Sequence, residues 1–509
     1  MRPARLSGVA ALSAACAGTA LWCSLGSLTI TDGGAGGSRI GLLPPLWWLP
    51  LMVAAAIAVA WLTGLSSDRA RPLFFSAILL LPWLPLPLPA PALLWAGPVT
   101  WFVWAAIAGA MIVAGDMPRM AHARVRDWLT SPRHAPWAAF VLAVLVYSST
   151  AWRLSPLVPG GDEPHYLVIA QSLWRDGDLR IENNHRRGDY LEYFSGTLKP
   201  DFLKRGQDGQ IYSIHMPGVP ALIAPVLALG GYGLVNGALA VMSALATAIT
   251  WRVTFTLAGS AAAAWFGWAA VALTAPFLFL SFTVYPDGVG AAVVMFSVAA
   301  LVGVARRRKR PTWWWAATSV LPAMLPWFHP RFAVLAAALG LVFAVRALQS
   351  PQPWRALGAF GAAPLVSAVG WFGYYGLIYG RFDPSIAYGH YTQMSLGRLP
   401  IGVLGLLVDQ QYGLLACAPV FVLGLAGLMP LARRHPRLAL EWVLIVVPYA
   451  LVTAMYHMWW GGFSSPARFA WSSAASRRSV ASPLAEASAC SDCSSRPCAS
   501  SRSRRRVLQ

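Results

Sequence analysis

Long apolar segments separated by short polar loops run along the chain from its first residues to about residue 470. Most of them hold about 20 mainly apolar residues, the number that a helix needs to cross the roughly 30 Å hydrocarbon core of a membrane. A short basic run or a single arginine follows every second predicted segment. Because basic residues concentrate on the cytoplasmic side, these residues give each segment a direction. The pattern predicts an all-α polytopic membrane protein with about 13 transmembrane helices.

The polar loops set the expected helix boundaries. We expect, among others, helices over 8–30, 41–64 and 259–283. The N-terminal stretch imitates a signal peptide, with a basic start followed by apolar and small residues. Further apolar segments follow it, however, so an uncleaved first helix is the better interpretation.

One short apolar segment decides the direction of every helix behind it. The stretch PGVPALIAPVLALGG, which begins at residue 217, offers only about fifteen residues for a crossing that needs about 20. If it crossed, the basic run RRRKR at 306–310 would lie outside, against the charge rule. We therefore expect 217–230 to be interfacial or re-entrant, with the next crossing made by a helix over 234–253.

Composition along the chain divides it into three parts. The first four predicted helices lie within 1–135 and form an accessory bundle, which the basic segment 116–135 joins to the rest. A second module covers 136–471 and contains a long first outer loop over 154–233. The tail, 472–509, is rich in Ser, Arg and Cys and has no spanning stretch. We interpret it as the product of a frameshift or a truncated gene model, with a genuine disordered tail as the alternative.

Overall composition supports the membrane assignment and argues against two kinds of site. Hydrophobic residues make up 57% of the 509 residues, more than an ordinary globular core can bury. The formal charge of +20 comes from short basic runs between apolar segments, whereas a nucleic-acid site would gather its cations on one soluble face. Cys490 and Cys493 form a CxxC without a histidine or second CxxC at a zinc spacing. We predict neither nucleic-acid binding nor a metal site of protein ligands.

Charged residues are scarce, so the stretch GGDEPHYL at 160–167 draws attention by its two adjacent acids. The predicted topology carries it to the outer membrane face together with other polar groups. That face receives Asp162, Glu163, His165, Asp287, His329 and Arg331, with the regions 380–411 and 456–468. Carboxylates close to membrane depth are costly and usually mark functional sites. The convergence therefore predicts a site at this face.

Each of these residues also has a plain structural explanation. Acids and a proline in the first turn favour a helix that begins near Asp162 and Glu163, and Asp287 could cap a helix. The outer-face cations could be solvated or snorkelling side chains: Lys199, Arg331, Arg381 and Arg468. The functional explanation is general-base activation of a hydroxyl or amine by a carboxylate, beside cations that bind a phosphate leaving group.

The order of these stretches resembles the GT-C glycosyltransferases, which include protein O-mannosyltransferases and the aminoarabinose transferases that modify lipid A. The stretch DEPHYL is similar to the Asp-Glu-x-His stretch of the mannosyltransferases, and HMPGVPALIAPVLALGG looks like the proline-led short helix behind it. The later stretches YPDGVGA, WFHPRF, DQQYGLLACAPV and MWWGGFSSPARF resemble those of uncharacterised bacterial relatives. The resemblance covers roughly 136–469. After SSPARFA such relatives continue into another apolar helix, from which 472–509 departs.

This resemblance implies an inverting transfer of a sugar from a polyprenyl-phosphate carrier to an acceptor. The acceptor would be a hydroxyl or amine of a glycan, lipid or protein at the outer face of the cytoplasmic membrane. Asp162 would be the base and Glu163 its supporting carboxylate. The implied substrate contacts are His165, Tyr166, His215, Asp287 and His329, with Arg331 and Arg468 for the carrier phosphate. Some members of the family use a divalent cation and others do not, so the cofactor stays open.

Two other classes of function compete with the transferase. A transporter or lipid flippase usually places ionisable residues at mid-membrane on broken helices, whereas the predicted spans here hold almost none. A non-catalytic scaffold would need no carboxylates converging on one face. The fold discriminates among them, because catalysis requires Asp162 and Asp287 to face common space.

Overall fold

The computed structural model describes residues 7–31, 38–84, 95–96, 99–114, 126–154, 159–306, 309–388, 394–410 and 412–460. Within these ranges the regular structure is helical apart from a single two-stranded sheet. Six of the described helices are long and apolar enough to cross a membrane, and many large apolar side chains are exposed on the outside of the bundle. The chain has the architecture of an all-α membrane protein, as the hydrophobic pattern predicts.

The N-terminal region forms a small bundle with a β-hairpin. Its elements are α1 (Gly8–Ser24), β1 (Ser27–Thr31), β2 (Ser38–Leu42), α2 (Trp48–Leu62), α3 (Ser67–Ala70), the 3₁₀ helix Arg71–Trp83 and α4 (Val99–Ala114). The predicted first helix, 8–30, therefore ends early, and the predicted second helix, 41–64, begins late. Between them the β-branched residues of SLTIT favour an extended chain, and β1 pairs antiparallel with β2.

The polar region that follows α5 (Ala135–Leu154) carries short helices around a core of its own. These are α6 (Glu163–Gln171), a π-helical turn (Ser172–Asp176), α7 (Glu182–Arg187) and the 3₁₀ helix Asp189–Glu192. Five buried aliphatic side chains form that core: Val168, Ile169, Ile181, Leu198 and Ile211. Gln207 donates backbone and side-chain hydrogen bonds to the carbonyls of Ile378 (2.8 Å) and Leu377 (2.7 Å). The region is thus packed and fastened to the helix bundle.

The remaining helices form the main bundle. In chain order they are α8 (Gly218–Ala258), α9 (Ala261–Ala272), α10 (Ala275–Leu280), α11 (Pro286–Arg306), α12 (Thr312–Phe328), α13 (Ala333–Leu348), α14 (Pro353–Tyr379), α15 (Leu399–Val408), α16 (Leu414–Cys417), α17 (Phe421–Arg434) and α18 (Pro436–Met455). The predicted helix over 259–283 is split into α9 and α10. Pro276 explains the break, because proline has no N–H to continue the hydrogen bonds of α9 and its ring clashes with the carbonyl four residues earlier.

Helix α8 is interrupted at two glycines. Gly230 has φ −156° and Gly231 has φ +66°, so neither belongs to a regular helix. A positive φ suits glycine because it has no Cβ. The part before the break, 218–229, is only about 18 Å long at 1.5 Å per residue, shorter than a bilayer crossing. The glycines thus separate the segment that we expect to be re-entrant from the longer helix behind it.

Two apolar clusters hold the main bundle together and position the polar region on it. In the first, Tyr166 and Leu167 of α6 pack with Val219 and Ile223 of α8 and with side chains of α11 to α14. The second joins α5, α8 and α9, and Phe102 of α4 packs against it. The accessory helices therefore contact the rest of the chain, and α6 is seated at one end of the bundle.

Candidate functional site

The candidate site is built around the start of α6. Gly161 adopts a left-handed conformation with φ +60°, Asp162 precedes the first helical residue, and Pro164 stands in the first turn, where proline is well tolerated. The Asp162 side chain makes no capping bond to the helix and is half-buried, whereas Glu163 is only 1% exposed. The two adjacent carboxylates therefore occupy different environments.

Glu163 joins three separate parts of the chain. Its Oε2 accepts hydrogen bonds from the backbone N–H of Val284 (2.8 Å) and from the hydroxyl of Tyr232 (3.2 Å). Its Oε1 accepts from the N–H of Gly160 (3.2 Å), and the hydroxyl of Tyr285 donates to the Gly160 carbonyl. With both oxygens engaged in a buried place, Glu163 has the contacts of a positioning residue. It holds α6 against the break in α8 and the segment before α11.

Asp287 and Arg331 form an ion pair across two helix ends. Asp287 lies in the first turn of α11, and Arg331 lies in the 3₁₀ turn Pro330–Phe332 between α12 and α13. The Arg331 Nη2 donates to Asp287 Oδ1, with side chains 25% and 27% exposed, respectively. The Nε of Arg331 is buried and has no hydrogen-bond partner among the described residues. The guanidinium therefore keeps one donor beyond those that the pair uses.

His329 shapes the turn that presents Arg331. Its Nδ1 accepts a hydrogen bond from the backbone N–H of Arg331 (3.2 Å). Burial lowers the pKa of His329 well below its usual value, and the positive charge of Arg331 acts in the same direction. A neutral imidazole with an acceptor Nδ1 agrees with this bond. His329 thus supports the Arg331 turn through a local contact.

A second polar pair, Asp201 and His215, lies beside α6. His215 Nε2 is 3.1 Å from Asp201 Oδ2, and the His215 ring lies 4.6 Å from the ring of Tyr166 and 5.8 Å from that of His165. The hydrogen bond from His215 holds the pKa of the Asp201 carboxyl below its usual value, although burial opposes the shift. Burial and the neighbouring His215 lower the pKa of His165 to about 4. His165 is therefore neutral at pH 7.

The charges of several of these groups act on the hydroxyl of Tyr166. Burial raises the pKa of Tyr166 well above its usual value, and the negative charges of Asp162 and Asp287 raise it further. Tyr388 acts on it in the same direction, and Arg331 opposes them. The charges of Asp162, Asp287 and Arg331 all act on Tyr166, so all three side chains lie within electrostatic range of it. Tyr166 itself is only 1% exposed.

The structure brings most of the sequence-predicted residues together and adds two that the sequence analysis missed. The exceptions are Lys199 and Arg381, which are exposed, and Arg468, which lies outside the described residues. The missed residues are Asp201 and Tyr388. Asp201 follows a proline in a polar stretch without periodicity, and Tyr388 lies in the short 3₁₀ helix Pro384–Tyr388. Neither carries a sequence signal, since each gains its place through contacts with distant residues.

No set of protein ligands for a metal is evident in the part of the chain that the structure describes. There, no three His, Cys, Asp or Glu side chains form a group that could hold a metal ion. Cys490 and Cys493 lie outside those residues.

Comparisons with known proteins give no relative. No protein-family model, no curated protein and no solved structure matches the chain. The resemblance to the GT-C glycosyltransferases thus rests on short motifs alone.

Proposed function

We propose that this protein is an integral membrane glycosyltransferase, which moves a sugar from a polyprenyl-phosphate carrier to an acceptor hydroxyl or amine. The observation that carries the proposal is the Asp287–Arg331 ion pair, whose charges act on Tyr166 together with the charge of Asp162. A proton acceptor and a phosphate-binding cation are the two groups that such a transfer requires. Their common position at the end of a membrane bundle suits a lipid-linked donor.

The reaction follows from the roles of these groups. Asp162 takes the proton from the acceptor as the acceptor oxygen or nitrogen attacks the anomeric carbon of the donor sugar. The bond between that carbon and the phosphate oxygen breaks, and the phosphate leaves with the electron pair. Arg331 offsets the charge that develops on the phosphate through the positive charge of its guanidinium group. Attack from the side opposite the phosphate inverts the anomeric configuration.

The neighbouring groups position the reactants. Glu163 holds the start of α6, and so the backbone of Asp162, through its contacts with Val284 and Tyr232. Asp201 orients the imidazole of His215 beside Tyr166, as a carboxylate commonly does for a functional histidine. His165, Tyr166, His215, Asp287 and His329 line the space for the substrates. A divalent cation bound with the donor phosphate is compatible with this scheme and supplies no step in it.

The same proposal includes a topology and a division of the chain. About 13 helices cross the cytoplasmic membrane, with the long loop 154–233 and the active face outside the cytoplasm. The Gly230–Gly231 break in α8 supports a re-entrant segment before it. The accessory bundle is 1–135, the catalytic module is 136–471, and 472–509 is a tail. The acceptor is a glycan, lipid or protein, and nucleic acid is not a partner.

A transporter or lipid flippase is the second candidate, and the break in α8 is the observation that favours it. Broken helices often form substrate sites in transporters, near mid-membrane. The two buried charged side chains of the described spans nevertheless pair with each other: Arg346 forms a salt bridge with Glu441 at 2.7 Å, near the ends of α13 and α18. Because these charges satisfy each other away from mid-membrane, they favour a structural role.

Sugar transfer in membranes that contain the full chain tests the proposal. The donor pool is radiolabelled polyprenyl-phosphate sugar, and wild type is compared with Asp162→Asn and with Asp208→Asn. Asp208 is an acid of the same outer loop that pairs with Arg180 at the surface, so its variant controls for loss of one carboxylate. We expect Asp162→Asn to lower turnover by about 10²-fold or more, as for loss of a general base, and Asp208→Asn to transfer normally. Absence of transfer from every donor by folded wild-type protein would establish the transporter class as the better candidate.

A further inference from the structure

A cavity of about 740 Å³ lies between the ends of α8 and α11, away from the candidate site. Arg252 and Thr256 of α8, Gly303 of α11 and Arg310 line it together with aliphatic side chains such as Val253 and Val302. Along α11 it lies about 24 Å from Asp287, at 1.5 Å per residue. The cavity is therefore separate from the Asp287–Arg331 pair of the candidate site.

Arg310 is held against the end of α11. Its Nη2 donates to the carbonyl of Gly303 (2.7 Å), and its guanidinium lies 5.0 Å from the ring of Trp314. Its Nε is buried and has no hydrogen-bond partner among the described residues. A snorkelling arginine would extend into water, whereas this one is folded back along the cavity wall with an unsatisfied donor. Arg310 is thus positioned for a ligand at this wall.

The cavity carries positive charge without a protein counter-ion. Arg252 and Arg310 both line it, no carboxylate is among its lining residues, and neither arginine forms an ion pair within the described ranges. Like charges close together beside an apolar wall repel each other strongly, and a bound anion removes that cost.

We infer that this cavity binds the phosphate headgroup of an anionic phospholipid. Arginine guanidinium groups bind phosphate through paired N–H donors, and the Thr256 hydroxyl offers a further donor. The aliphatic side chains of the wall suit the adjoining glycerol and acyl groups. The cavity lies where two membrane helices end beside a basic run, which in the proposed topology is the cytoplasmic leaflet, where anionic lipids concentrate. The inference rests on the proposed topology and does not depend on the proposed transferase activity.

Lipid retention measured by native mass spectrometry tests the inference. The full chain is released from nanodiscs that contain phosphatidylglycerol and phosphatidylcholine in equal amounts. We expect wild type to retain about one phosphatidylglycerol in preference to phosphatidylcholine, and Arg252→Gln with Arg310→Gln to lower that retention about tenfold or more. Arg434→Gln is the matched control, since Arg434 is an exposed arginine of the same predicted membrane face outside the cavity. It should retain the lipid as wild type does.

A thermal-unfolding series in detergent separates lipid from free phosphate. Phosphatidylglycerol should raise the midpoint of wild type but not that of the paired variant, and inorganic phosphate at equal concentration should have no effect. Equal stabilisation by inorganic phosphate would overturn the lipid assignment in favour of a soluble anion. Unchanged phosphatidylglycerol retention in the paired variant, or equal retention of phosphatidylcholine by wild type, would overturn the site. If the paired variant fails to fold, Arg252→Gln alone provides the same comparison, because Arg252 is exposed.

Discussion

Charged side chains differ in pairing and exposure between the two ends of the bundle. At the candidate-site end, charges pair across distant parts of the chain while several remain half-exposed, as in Asp287–Arg331 and Asp201–His215. At the opposite end, Arg346 and Glu441 are each 9% exposed and close off one complete pair, while Arg252 and Arg310 line a cavity without a carboxylate. Charged side chains that are partly exposed and held by fixed partners, as at the candidate site, suit contact with a substrate. A fully buried ion pair such as Arg346–Glu441 suits a structural role. Arginines without a carboxylate partner, as in the cavity, suit binding of an anionic ligand.

The largest expected effect tests the buried pair at the opposite end. Glu441 accepts from Arg346 Nη2 (2.8 Å) and from Arg437 Nε (3.2 Å), so Glu441→Gln leaves buried arginine charge uncompensated. We expect it to destabilise the protein by about 3–5 kcal/mol, measured by unfolding in detergent. Joint replacement of Arg346 by Met and Glu441 by Leu removes both charges and should recover most of that loss. A joint variant as unstable as Glu441→Gln would contradict a structural pair and support a charge that moves with transport.

The next effect separates the two adjacent acids of the site. Glu163→Gln puts an amide N–H₂ beside the donors of Val284 and Tyr232, so at least one buried donor loses its acceptor. We expect a loss of about 2–3 kcal/mol in unfolding free energy. Asp162→Asn is the neighbouring control and should change stability much less while it abolishes transfer. If Glu163→Gln and Asp162→Asn lose equal unfolding free energy, the assignment of Glu163 as the positioning carboxylate and Asp162 as the base is contradicted.

Lowering the pH should reduce the unfolding free energy of the protein through protonation of His165 at the candidate site. The folded-state pKa of about 4 lies below the unfolded value of 6.5, so between these pH values the unfolded chain binds a proton that the folded chain does not. Stability therefore falls as pH is lowered from 6.5 to 4, by roughly 2–3 kcal/mol from this group. Unfolding midpoints of wild type and His165→Gln across that window measure the difference. Parallel pH curves for the two proteins would contradict the neutral, buried state of His165.

The smallest effect concerns the pair that only the fold reveals. Asp201→Asn keeps the shape of the side chain but removes the charge that orients His215. We expect turnover to fall about tenfold, with a similar unfolding midpoint, because the His215 imidazole loses the carboxylate that orients it. Lys199→Gln, at an exposed position of the same loop, should leave both readouts unchanged. If Asp201→Asn turns over as fast as wild type, the Asp201–His215 pair has no role in the reaction.

Particular positions show where pattern analysis of the sequence stops. The helix boundaries near Ser24 and at Leu273–Thr274 differ from the predicted ones, because local β-propensity in SLTIT and Pro276 outweigh hydrophobic length. The length of the apolar segment before Gly230, by contrast, is enough to predict that it is too short to cross a membrane. Glu163 is conspicuous in the sequence. Its role as a positioning residue, however, depends on a hydrogen bond from Val284, which lies more than a hundred residues away in the chain.

The sequence by itself determined the class of architecture and one part of the site. Hydrophobic length and basic clusters suffice for an all-α membrane protein, since the bilayer imposes the same length and charge rule on every crossing helix. The scarcity of acids was enough to single out Asp162 and Asp287. Only the tertiary structure decided which carboxylate is buried, that Asp201 meets His215, and that Arg252 and Arg310 share a cavity. Such pairings arise from packing between helices, and packing brings together residues whose separation along the chain carries no periodic signal.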